Sequence, residues 1–336
     1  MRLHLPCCCA SSSTRRPDRG LTDGAETAHE KKFVSLRALY DLPAPAKLNM
    51  FLHVVGRRAD GYHLLQSPFV MIDWADVLHV ELRSDGDLKR HDLGPALPEV
   101  DLCLRAARAL QAASGSTAGA DIHIHKHVPW GAGMGGGSSD AATTLLALNR
   151  LWGLNWPRAR LAHLGLKLGA DVPFFIGGQN AFVEGIGERL RPMAWPQCDY
   201  AVVKPAAALP TGEIFEHPLL RRDTEAVIVA GLLEEAGGNE MPAGWVQRFV
   251  DGFGRNDLQP PAEDRCPEVA LAASWLKSRY GESRMTGSGS AVFSRVVSSG
   301  SPRFADPAAG LNELPARWVG RMCRSLVEHP LSGWAS

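Results

Sequence analysis

The stretch DIHIHKHVPWGAGMGGGSSDAATTLLALNRLWG, residues 121–153, decides the fold class of this chain. Residues 121–125 alternate polar and apolar side chains, as a half-buried strand does, within a predicted strand over residues 121–127, and residues 138–152 place leucines at helical spacing. Five glycines lie between these segments: Gly131, Gly133, Gly135, Gly136 and Gly137. The sequence therefore predicts a strand, a glycine-rich loop and a helix in direct succession.

A glycine-rich loop that leads into a helix is typical of a phosphate-binding site. Glycine permits positive φ angles and lets a ligand approach the backbone, while the helix start offers unpaired N–H groups and the positive end of the helix dipole. Ser138 and Ser139 add hydroxyl groups that can contact a phosphate or hold Mg²⁺, or can simply cap the helix. Both roles remain open for each serine.

Three kinds of phosphate-binding loop are rich in glycine. A Walker loop is excluded because no lysine follows the glycines. A dinucleotide fingerprint fits Gly131, Gly133 and Gly136, but the acidic residue expected about 20 residues later is missing, since residues 153–161 read GLNWPRARL. The third pattern, P-x-x-x-G-[LM]-G-G-[GS]-S-S, fits residues 129–139 in full.

The composition is that of a globular chain without net charge. The 336 residues are 45% hydrophobic and 21% charged, and 36 lysines and arginines balance 36 aspartates and glutamates. Such a chain has no general attraction for nucleic acid or an anionic membrane, and no apolar run is long enough to span a bilayer. Seven cysteines without a C-x-x-C pair or a signal peptide predict reduced thiols. We therefore expect a cytoplasmic protein with no nucleic-acid or membrane partner, and the sequence leaves open whether it is a monomer or a weak dimer.

Helices and strands alternate without long runs of parallel strands, which predicts an α+β protein of two domains. Residues 1–33 lack apolar periodicity and are predicted to be an extension; residues 34–197 and 198–330 are the predicted domains. The predicted strands are residues 47–55, 77–82, 121–127 and 200–204, with a hairpin over residues 179–193 and a strand, glycine turn and strand near residues 284–296. The predicted helices are residues 99–112, 138–152, 157–168 and 267–280, and residues 170–173 form a predicted loop.

Three segments, spaced along the chain in the expected order, resemble the motifs of the GHMP kinase superfamily, which includes galactokinase, homoserine kinase, mevalonate kinase and phosphomevalonate kinase. They are PAPAKLN at 43–49, PWGAGMGGGSS at 129–139 and MTGSGSAVF at 285–293. Four further segments are similar to the 4-diphosphocytidyl-2-C-methyl-D-erythritol kinases of that superfamily: KLNMFLHVVGRRADGYHLLQS at 47–67, GADVPFFIGGQNAFVEGIGE at 169–188, KPAAALPTGEIF at 204–215 and NDLQP at 256–260.

The resemblance implies a fold, a reaction and its ligands. The implied architecture is a ribosomal S5 domain 2-like N-terminal domain and a ferredoxin-like C-terminal domain, with the active site in the cleft between them. The implied reaction transfers the γ-phosphoryl group of ATP to the 2-hydroxyl of a cytidyl-linked methylerythritol, in the non-mevalonate route to isoprenoids in the bacterial cytoplasm. ATP and Mg²⁺ are the implied cofactors, and the small cytidyl substrate is the implied partner. A kinase for another small alcohol, and a relative that binds ATP without transfer, are the alternatives.

The resemblance also assigns roles in phosphoryl transfer to individual residues. Asp171 is the implied general base and Lys47 its partner, although Asp171 taken alone is equally an Asx-turn residue before Pro173. Lys126 is implied to lie near the nucleotide, although alone it is equally an ordinary solvated lysine. Asp101 stands near the adenine where the family usually has asparagine, and a carboxylate cannot donate a hydrogen bond. The implied ATP-binding residues are Asp101, Lys126, Pro129, Gly131, Gly133, Met134, Gly135, Gly136, Gly137, Ser138 and Ser139.

A second group of residues is implied to bind the substrate. Tyr62 and Phe215 would stack on cytosine, His63 would hydrogen-bond its edge and Asn49 would contact the methylerythritol. The remaining residues of this group are Thr211, Gly287, Ser288 and Gly289. Separately, His123, His125 and His127 alternate along one predicted strand, which is compatible with a metal site or with a polar outer face of a sheet.

Overall fold

One strand of 21 residues, β3 (His63–Arg83), organises the larger of the two sheets that the described residues form. The computed structural model describes residues 36–99, 101–227, 241–297 and 307–336, so the predicted extension at residues 1–33 lies outside it. Within the second half of β3, residues 77–81 alternate between buried and half-buried side chains, as a strand with one covered face does.

The larger sheet surrounds β3 on both sides. Its other strands are β1 (Ala38–Asn49), β2 (His53–Arg57), β4 (Leu88–Asp92), β5 (Gly119–His125), β6 (Ala181–Gly185) and β7 (Arg189–Pro192). The spatial order is β4-β5-β3-β6-β7, and β1 and β2 also pair with β3. β2 and β6 pair with residues 63–69 of β3, β1 pairs with residues 69–81, and β5 pairs with residues 77–83. All of these pairings are antiparallel except that of β4 with β5.

The smaller sheet is antiparallel throughout, in the order β11-β8-β10-β9. Its strands are β8 (Asp199–Lys204), β9 (Ser283–Met285), β10 (Val292–Val296) and β11 (Val319–Arg324). The glycine turn predicted within residues 285–293 therefore joins β9 to β10. Apolar residues of both sheets, among them Leu48, Ile72, Val202 and Phe293, belong to one buried cluster, so the two sheets are packed together.

The helices pack against the two sheets. They are α1 (Leu102–Ser114), α2 (Gly136–Leu151), α3 (Arg158–Leu166), α4 (Val172–Gly177), α5 (Thr211–Glu216), α6 (Ala243–Val250), α7 (Gln259–Arg265) and α8 (Pro267–Tyr280), with 3-10 turns at Pro307–Glu313 and Ser332–Trp334. Leu110 of α1 and Leu145 of α2 pack with Leu78 and Ile122 of the larger sheet, while Leu276 of α8 packs with Val292 of the smaller one. No helix within these ranges is both long and apolar enough to cross a membrane.

Most predicted elements are confirmed, but several boundaries are wrong. The strand predicted over residues 77–82 is only the end of β3, which begins at His63. The predicted strand at residues 47–55 is interrupted after Asn49, because the backbone N–H of Leu52 donates to Arg255 of a distant segment. Residues 170–173 are not wholly a loop: α4 begins at Val172, since Pro173 is tolerated in a first helical turn. α2 begins two residues before its predicted start, and α1 begins at Leu102 rather than at residue 99.

Candidate active site

The glycine-rich loop reaches α2 through a glycine cap rather than a serine cap. Gly135 occupies the N-cap position with φ of 70°, and no side chain caps the helix. Ser138 and Ser139 therefore do not cap α2, which excludes that alternative. Ser138 lies on a cavity wall, whereas Ser139 is fully buried and its hydroxyl has no hydrogen-bond partner within the described part of the chain. The backbone N–H groups of the first turn are left for a ligand.

Two glycine-rich loops from distant parts of the chain lie against each other here. The backbone N–H groups of Ser290 and Ala291 donate to the carbonyl oxygens of Gly131 and Ala132, at 3.2 and 3.1 Å. Gly133 has φ of 71°, and a Cβ atom on it would overlap the backbone of Thr286 and Gly289. Only glycine fits this contact, so the β9–β10 turn and the phosphate-binding loop form one backbone platform.

Two cavities border this platform. The glycine-loop cavity has a volume of about 390 Å³, and the Lys47 cavity has a volume of about 770 Å³. Gly133 and Gly135 line both, so the cavities meet at the loop. The glycine-loop cavity is lined by Leu97, Pro98, Asp101, Leu102, Arg105, Lys126, residues 128–138 and Asp140. The Lys47 cavity is lined by Lys47, Asn49, Leu52, Arg57, residues 60–63, Leu65, Phe69, Gly133, Gly135, Ala170, Asp171, Ile186, residues 211–212, residues 215–216, Leu258, Gly287 and Ser288.

Lys47 and Asp171, which are 124 positions apart in sequence, face each other where the cavities meet. The Lys47 ammonium lies 3.5 Å from a carboxylate oxygen of Asp171, and the two side chains are 4% and 28% exposed. The same ammonium lies 4.4 Å from the centre of the Phe69 ring and donates to Asn49 Oδ1 at 2.6 Å. Burial lowers the pKa of Lys47, and the nearby Asp171 carboxylate only partly offsets this effect.

Asn49 holds this arrangement together. Its Oδ1 accepts hydrogen bonds from Lys47, from the Thr286 hydroxyl at 3.2 Å and from the Gly287 backbone N–H at 2.9 Å. Its Nδ2 donates to Ser67 at 2.8 Å, and the residue is fully buried. The side chain predicted to contact the substrate is thus committed to joining Lys47 to the β9–β10 turn.

Lys126 belongs to a buried ionic triad behind the phosphate-binding loop. Its ammonium contacts the Asp76 carboxylate and lies 2.6 Å from a carboxylate oxygen of Asp140. The other oxygen of Asp76 accepts from the backbone N–H groups of His127 and Val128, at 2.6 and 2.8 Å. Burial by itself would lower the pKa of Lys126, but attraction by Asp140 and Asp76 outweighs it and the pKa is raised.

One carboxylate of the triad lies at the glycine-loop cavity. Asp140 lines the glycine-loop cavity, and its Oδ1 is buried without a hydrogen-bond partner among the residues described. Burial raises the pKa of Asp140 well above its usual range, and Asp76 adds to this effect while Lys126 opposes it. Asp101 lies at the rim of the same cavity, where it caps α1 through the Leu104 N–H at 3.0 Å. It also pairs with Arg90 at 3.2 Å. The adenine contact of Asp101 stays a prediction.

The residues predicted to bind cytosine lie on one wall of the Lys47 cavity. The rings of His63 and Phe215 are stacked, with centroids 5.1 Å apart and planes at 29°. Tyr62 lies beside them with 61% of its surface exposed. Burial lowers the pKa of His63, as do the positive charges of Arg222 and Arg57.

Of the remaining predicted substrate residues, Thr211, Gly287 and Ser288 line the Lys47 cavity, whereas Gly289 does not. The hydroxyl groups of Thr211 and Ser288 lie 2.8 Å apart, and both residues line the Lys47 cavity together with Gly287. Gly289 is not among the residues that line either described cavity; a Cβ atom on it would meet Met285 and Leu209. Gly289 therefore contributes to the backbone platform.

His123, His125 and His127 do not form a metal centre in the described ranges, and His127 lies beyond the end of β5. His123 stacks on His91 with centroids 4.6 Å apart, and the rings of His125 and His127 are 4.1 Å apart. No group of three or more histidine, cysteine or acidic side chains described by the structure is arranged to hold a metal ion.

Sequence reasoning missed several residues of the site. Asp76 and Arg222 carry no local motif, and only strand pairing and loop packing bring them to Lys126 and His63. Asp140 directly follows the two serines, so its position next to the phosphate-binding motif was a usable signal. Trp130, 74% exposed on the glycine-loop cavity, was visible in the same motif.

Comparison with known proteins gives consistent family matches. The family model for the GHMP kinases N terminal domain matches residues 101–179, and that for the GHMP kinases C terminal domain matches residues 238–319. The 4-diphosphocytidyl-2-C-methyl-D-erythritol kinase of Methylibium petroleiphilum is 60% identical over 90% of this chain and 100% of its own length. The enzyme of that name from Variovorax paradoxus is 55% identical over the same shares.

Solved structures extend the comparison. A crystal structure of 4-(cytidine 5'-diphospho)-2C-methyl-D-erythritol kinase is 34% identical, with a TM-score of 0.67 over 85% of this chain and 98% of its own. The mevalonate kinase of Methanococcus jannaschii is similar in fold alone, with 14% identity and a TM-score of 0.60 over 88% of this chain and 99% of its own.

Proposed function

This chain belongs to the 4-diphosphocytidyl-2-C-methyl-D-erythritol kinases of the GHMP kinase superfamily, and from that premise we propose that it transfers the γ-phosphoryl group of ATP to the 2-hydroxyl of 4-(cytidine 5'-diphospho)-2-C-methyl-D-erythritol. The product would serve the non-mevalonate route to isoprenoid precursors. The observation that carries this proposal is the position of Lys47 and Asp171, which face each other where the two cavities meet.

ATP would occupy the glycine-loop cavity, with its phosphates against residues 133–138. The free N–H groups of the first turn of α2 and the positive end of its dipole favour an anion there. The terminal phosphate would then lie at Gly133 and Gly135, which also line the Lys47 cavity. This placement puts the leaving ADP on one side of the platform and the acceptor alcohol on the other, as in-line transfer requires.

Asp171 and Lys47 would handle the proton and the charge. The acceptor hydroxyl would give its proton to the Asp171 carboxylate as its oxygen attacks the γ-phosphorus, and the bond from that phosphorus to the β,γ-bridging oxygen would break to release ADP. Lys47 orients Asp171 and contributes positive charge beside the transferred group. Asn49 keeps Lys47 in place through a 2.6 Å hydrogen bond.

The residues present fit a magnesium ion bound together with ATP. Mg²⁺ takes oxygen ligands, and the buried Oδ1 of Asp140 lacks a partner among the described residues while the residue lines the nucleotide side of the platform. Asp140 and the Ser138 hydroxyl would therefore hold the ion. When bound, it would neutralise charge on the β- and γ-phosphates.

The wall formed by Tyr62, His63 and Phe215 would take the cytosine base. Aromatic faces stabilise a stacked base by about 1–3 kcal/mol each, and the imidazole edge adds a directional contact. Residues 34–197 would provide the nucleotide side and residues 198–330 part of the substrate side. We place the activity in the bacterial cytoplasm, where ATP is available.

The experiment that tests the proposal is a turnover assay with a panel of alcohols. Purified protein is mixed with Mg·ATP and the cytidyl compound, homoserine or mevalonate, and ADP release is followed. We expect ADP release with the cytidyl compound but not with homoserine or mevalonate. Phosphorus NMR of the product should locate the new phosphate on the 2-hydroxyl. Turnover of homoserine or mevalonate in its place would assign the chain to another small-alcohol kinase. ATP binding without turnover of any alcohol would identify a silent relative.

A further inference from the structure

The imidazole of His63 is held from two directions on the wall of the Lys47 cavity. One face of the ring lies against Phe215, and the residue pairs across strands with Arg57 of β2. At the ring edge, the Nε2 atom receives a hydrogen bond from Nε of Arg222 at 3.1 Å. Within the described residues, Nδ1 of His63 has no hydrogen-bond partner, so one of the two ring nitrogens is committed and the other is left for a ligand.

Arg222 is itself fixed by backbone carbonyl groups. Its Nη1 donates to Leu220 at 3.1 Å, and its Nη2 donates to Phe215 at 3.0 Å and to His217 at 3.3 Å. With these partners, the guanidinium plane is set by the chain that follows α5. The direction of its Nε–H bond toward His63 is therefore built into the fold.

The chemistry of arginine determines which nitrogen of His63 carries the proton. A guanidinium group has donors only and stays protonated, so Nε2 of His63 must be the acceptor in this contact. An imidazole that accepts at Nε2 carries its proton on Nδ1, because the neutral ring has one N–H group.

We propose that Arg222 is a positioning residue that holds His63 in the neutral Nδ1–H form, so that the wall of the Lys47 cavity presents a fixed N–H donor next to an aromatic face. Such a donor suits a heterocycle that offers a ring-nitrogen acceptor. Cytosine has this acceptor at N3, whereas uracil carries a hydrogen there. The inference rests on the proposed function for the identity of the substrate, and it assigns selection of cytosine over uracil to the Arg222–His63 pair.

The charges around His63 favour the same state. The charged groups that face the ring are Arg57 of β2 and Arg222 of the segment after α5, and both oppose its protonation. Burial has the larger effect in the same direction. Removal of Arg222 should therefore raise the pKa of His63 and move the acidic loss of substrate affinity to higher pH.

The first test is nitrogen NMR of His63 in the wild-type protein without any ligand. We expect Nδ1 to be protonated and Nε2 to be unprotonated at neutral pH. Protonation at Nε2 would overturn the proposal. This measurement needs neither a variant that folds nor turnover, so it remains informative if the proposed kinase activity fails.

The second test compares Arg222→Met with Arg221→Met. The neighbouring Arg221 is exposed and pairs with Asp223 at 3.2 Å, so its substitution removes the same charge without touching His63. Loss of one positioned hydrogen bond predicts an increase of about tenfold in KM for the cytidyl substrate in Arg222→Met, with kcat and KM for ATP unchanged. Preference for the cytidyl over the uridyl compound should fall about tenfold as well, and the His63 proton should move toward Nε2. Equal KM values for the two variants, or unchanged base preference in Arg222→Met, would overturn the assignment.

Discussion

Two lysines line the two cavities that meet at the glycine-rich platform, and their environments shift their pKa values in opposite directions. Burial lowers the pKa of Lys47, although Asp171 partly opposes it. Burial acts on Lys126 too, but Asp140 and Asp76 outweigh it and raise its pKa. The number and burial of the carboxylate partners, rather than proximity to the phosphate-binding loop, thus distinguish the two lysines.

The two regions also differ in what can reach them. Asp171 is 28% exposed toward a 770 Å³ cavity, so its carboxylate can meet a substrate. The Asp76 and Asp140 side chains are 0% and 5% exposed, and Asp76 is bound to backbone N–H groups as well. The Lys47–Asp171 pair is suited to exchange a proton, whereas the triad around Lys126 is suited to hold the 126–128 segment and the start of α2 in place.

The largest expected effect is on turnover when the accessible pair is broken by Asp171→Asn. Loss of a general base predicts a decrease of about 10²–10⁴ in kcat, with KM for ATP and the free energy of unfolding close to wild type. Steady-state kinetics and urea unfolding measure the two quantities separately. Asp85→Asn is the matched control, because Asp85 also forms an ion pair, with Arg83, but lies on the surface, away from both cavities.

Two results would contradict this assignment of Asp171. Turnover within a few-fold of wild type would show that its carboxylate is not the base. A large loss of stability in Asp171→Asn, without such a loss in Asp85→Asn, would instead make the Lys47–Asp171 pair a structural ion pair like the triad.

The next largest effect is on stability when the triad of Lys126, Asp76 and Asp140 is broken by Lys126→Met. Removal of one partner leaves two buried carboxylates without their cation, and breaking a buried ion pair costs about 3–5 kcal/mol. Urea unfolding should therefore show a large loss of stability in this variant. Lys89→Met is the control: Lys89 is 49% exposed and pairs with Asp87 at 3.4 Å, so its loss should change stability by less than about 0.5 kcal/mol. Equal stabilities for the two variants would refute the structural role of the triad.

Local sequence was sufficient for part of the site but not for the triad around Lys126. The strand, glycine loop and start of α2 are contiguous, so glycine content and leucine spacing predict them directly. Motif resemblance placed Lys47 and Asp171 in one site, and the structure brings them to 3.5 Å. Asp76 reaches Lys126 only through the pairing of β3 with β5, and nothing in the sequence around residue 76 marks a phosphate-binding site.

Boundaries failed where distant segments compete for the backbone. The apolar pattern of residues 47–55 continues past Asn49, yet the chain leaves β1 because Leu52 pairs with Asn256 instead. The predicted cytosine wall is similar: Tyr62, His63 and Phe215 come from motif resemblance, but the arginine that fixes the His63 edge comes from a segment without a motif. Residues that act through another side chain are therefore the ones that the sequence does not reveal.

The smallest expected effect is the alkaline pH dependence of stability, and it separates the two lysines by sign. Because the pKa of Lys47 is lower in the folded protein than its ordinary value of 10.5, the unfolded chain binds more protons as pH rises toward 10.5, and stability increases over that window. The pKa of Lys126 is raised, so the folded protein keeps the proton above 10.5 and stability decreases there. The free energy of unfolding of wild type relative to Lys47→Met should therefore grow as pH rises toward 10.5. Other titrating groups cancel in this difference. A constant or shrinking difference would mean that the pKa of Lys47 is not lowered in the folded protein, and the contrast with Lys126 would be lost.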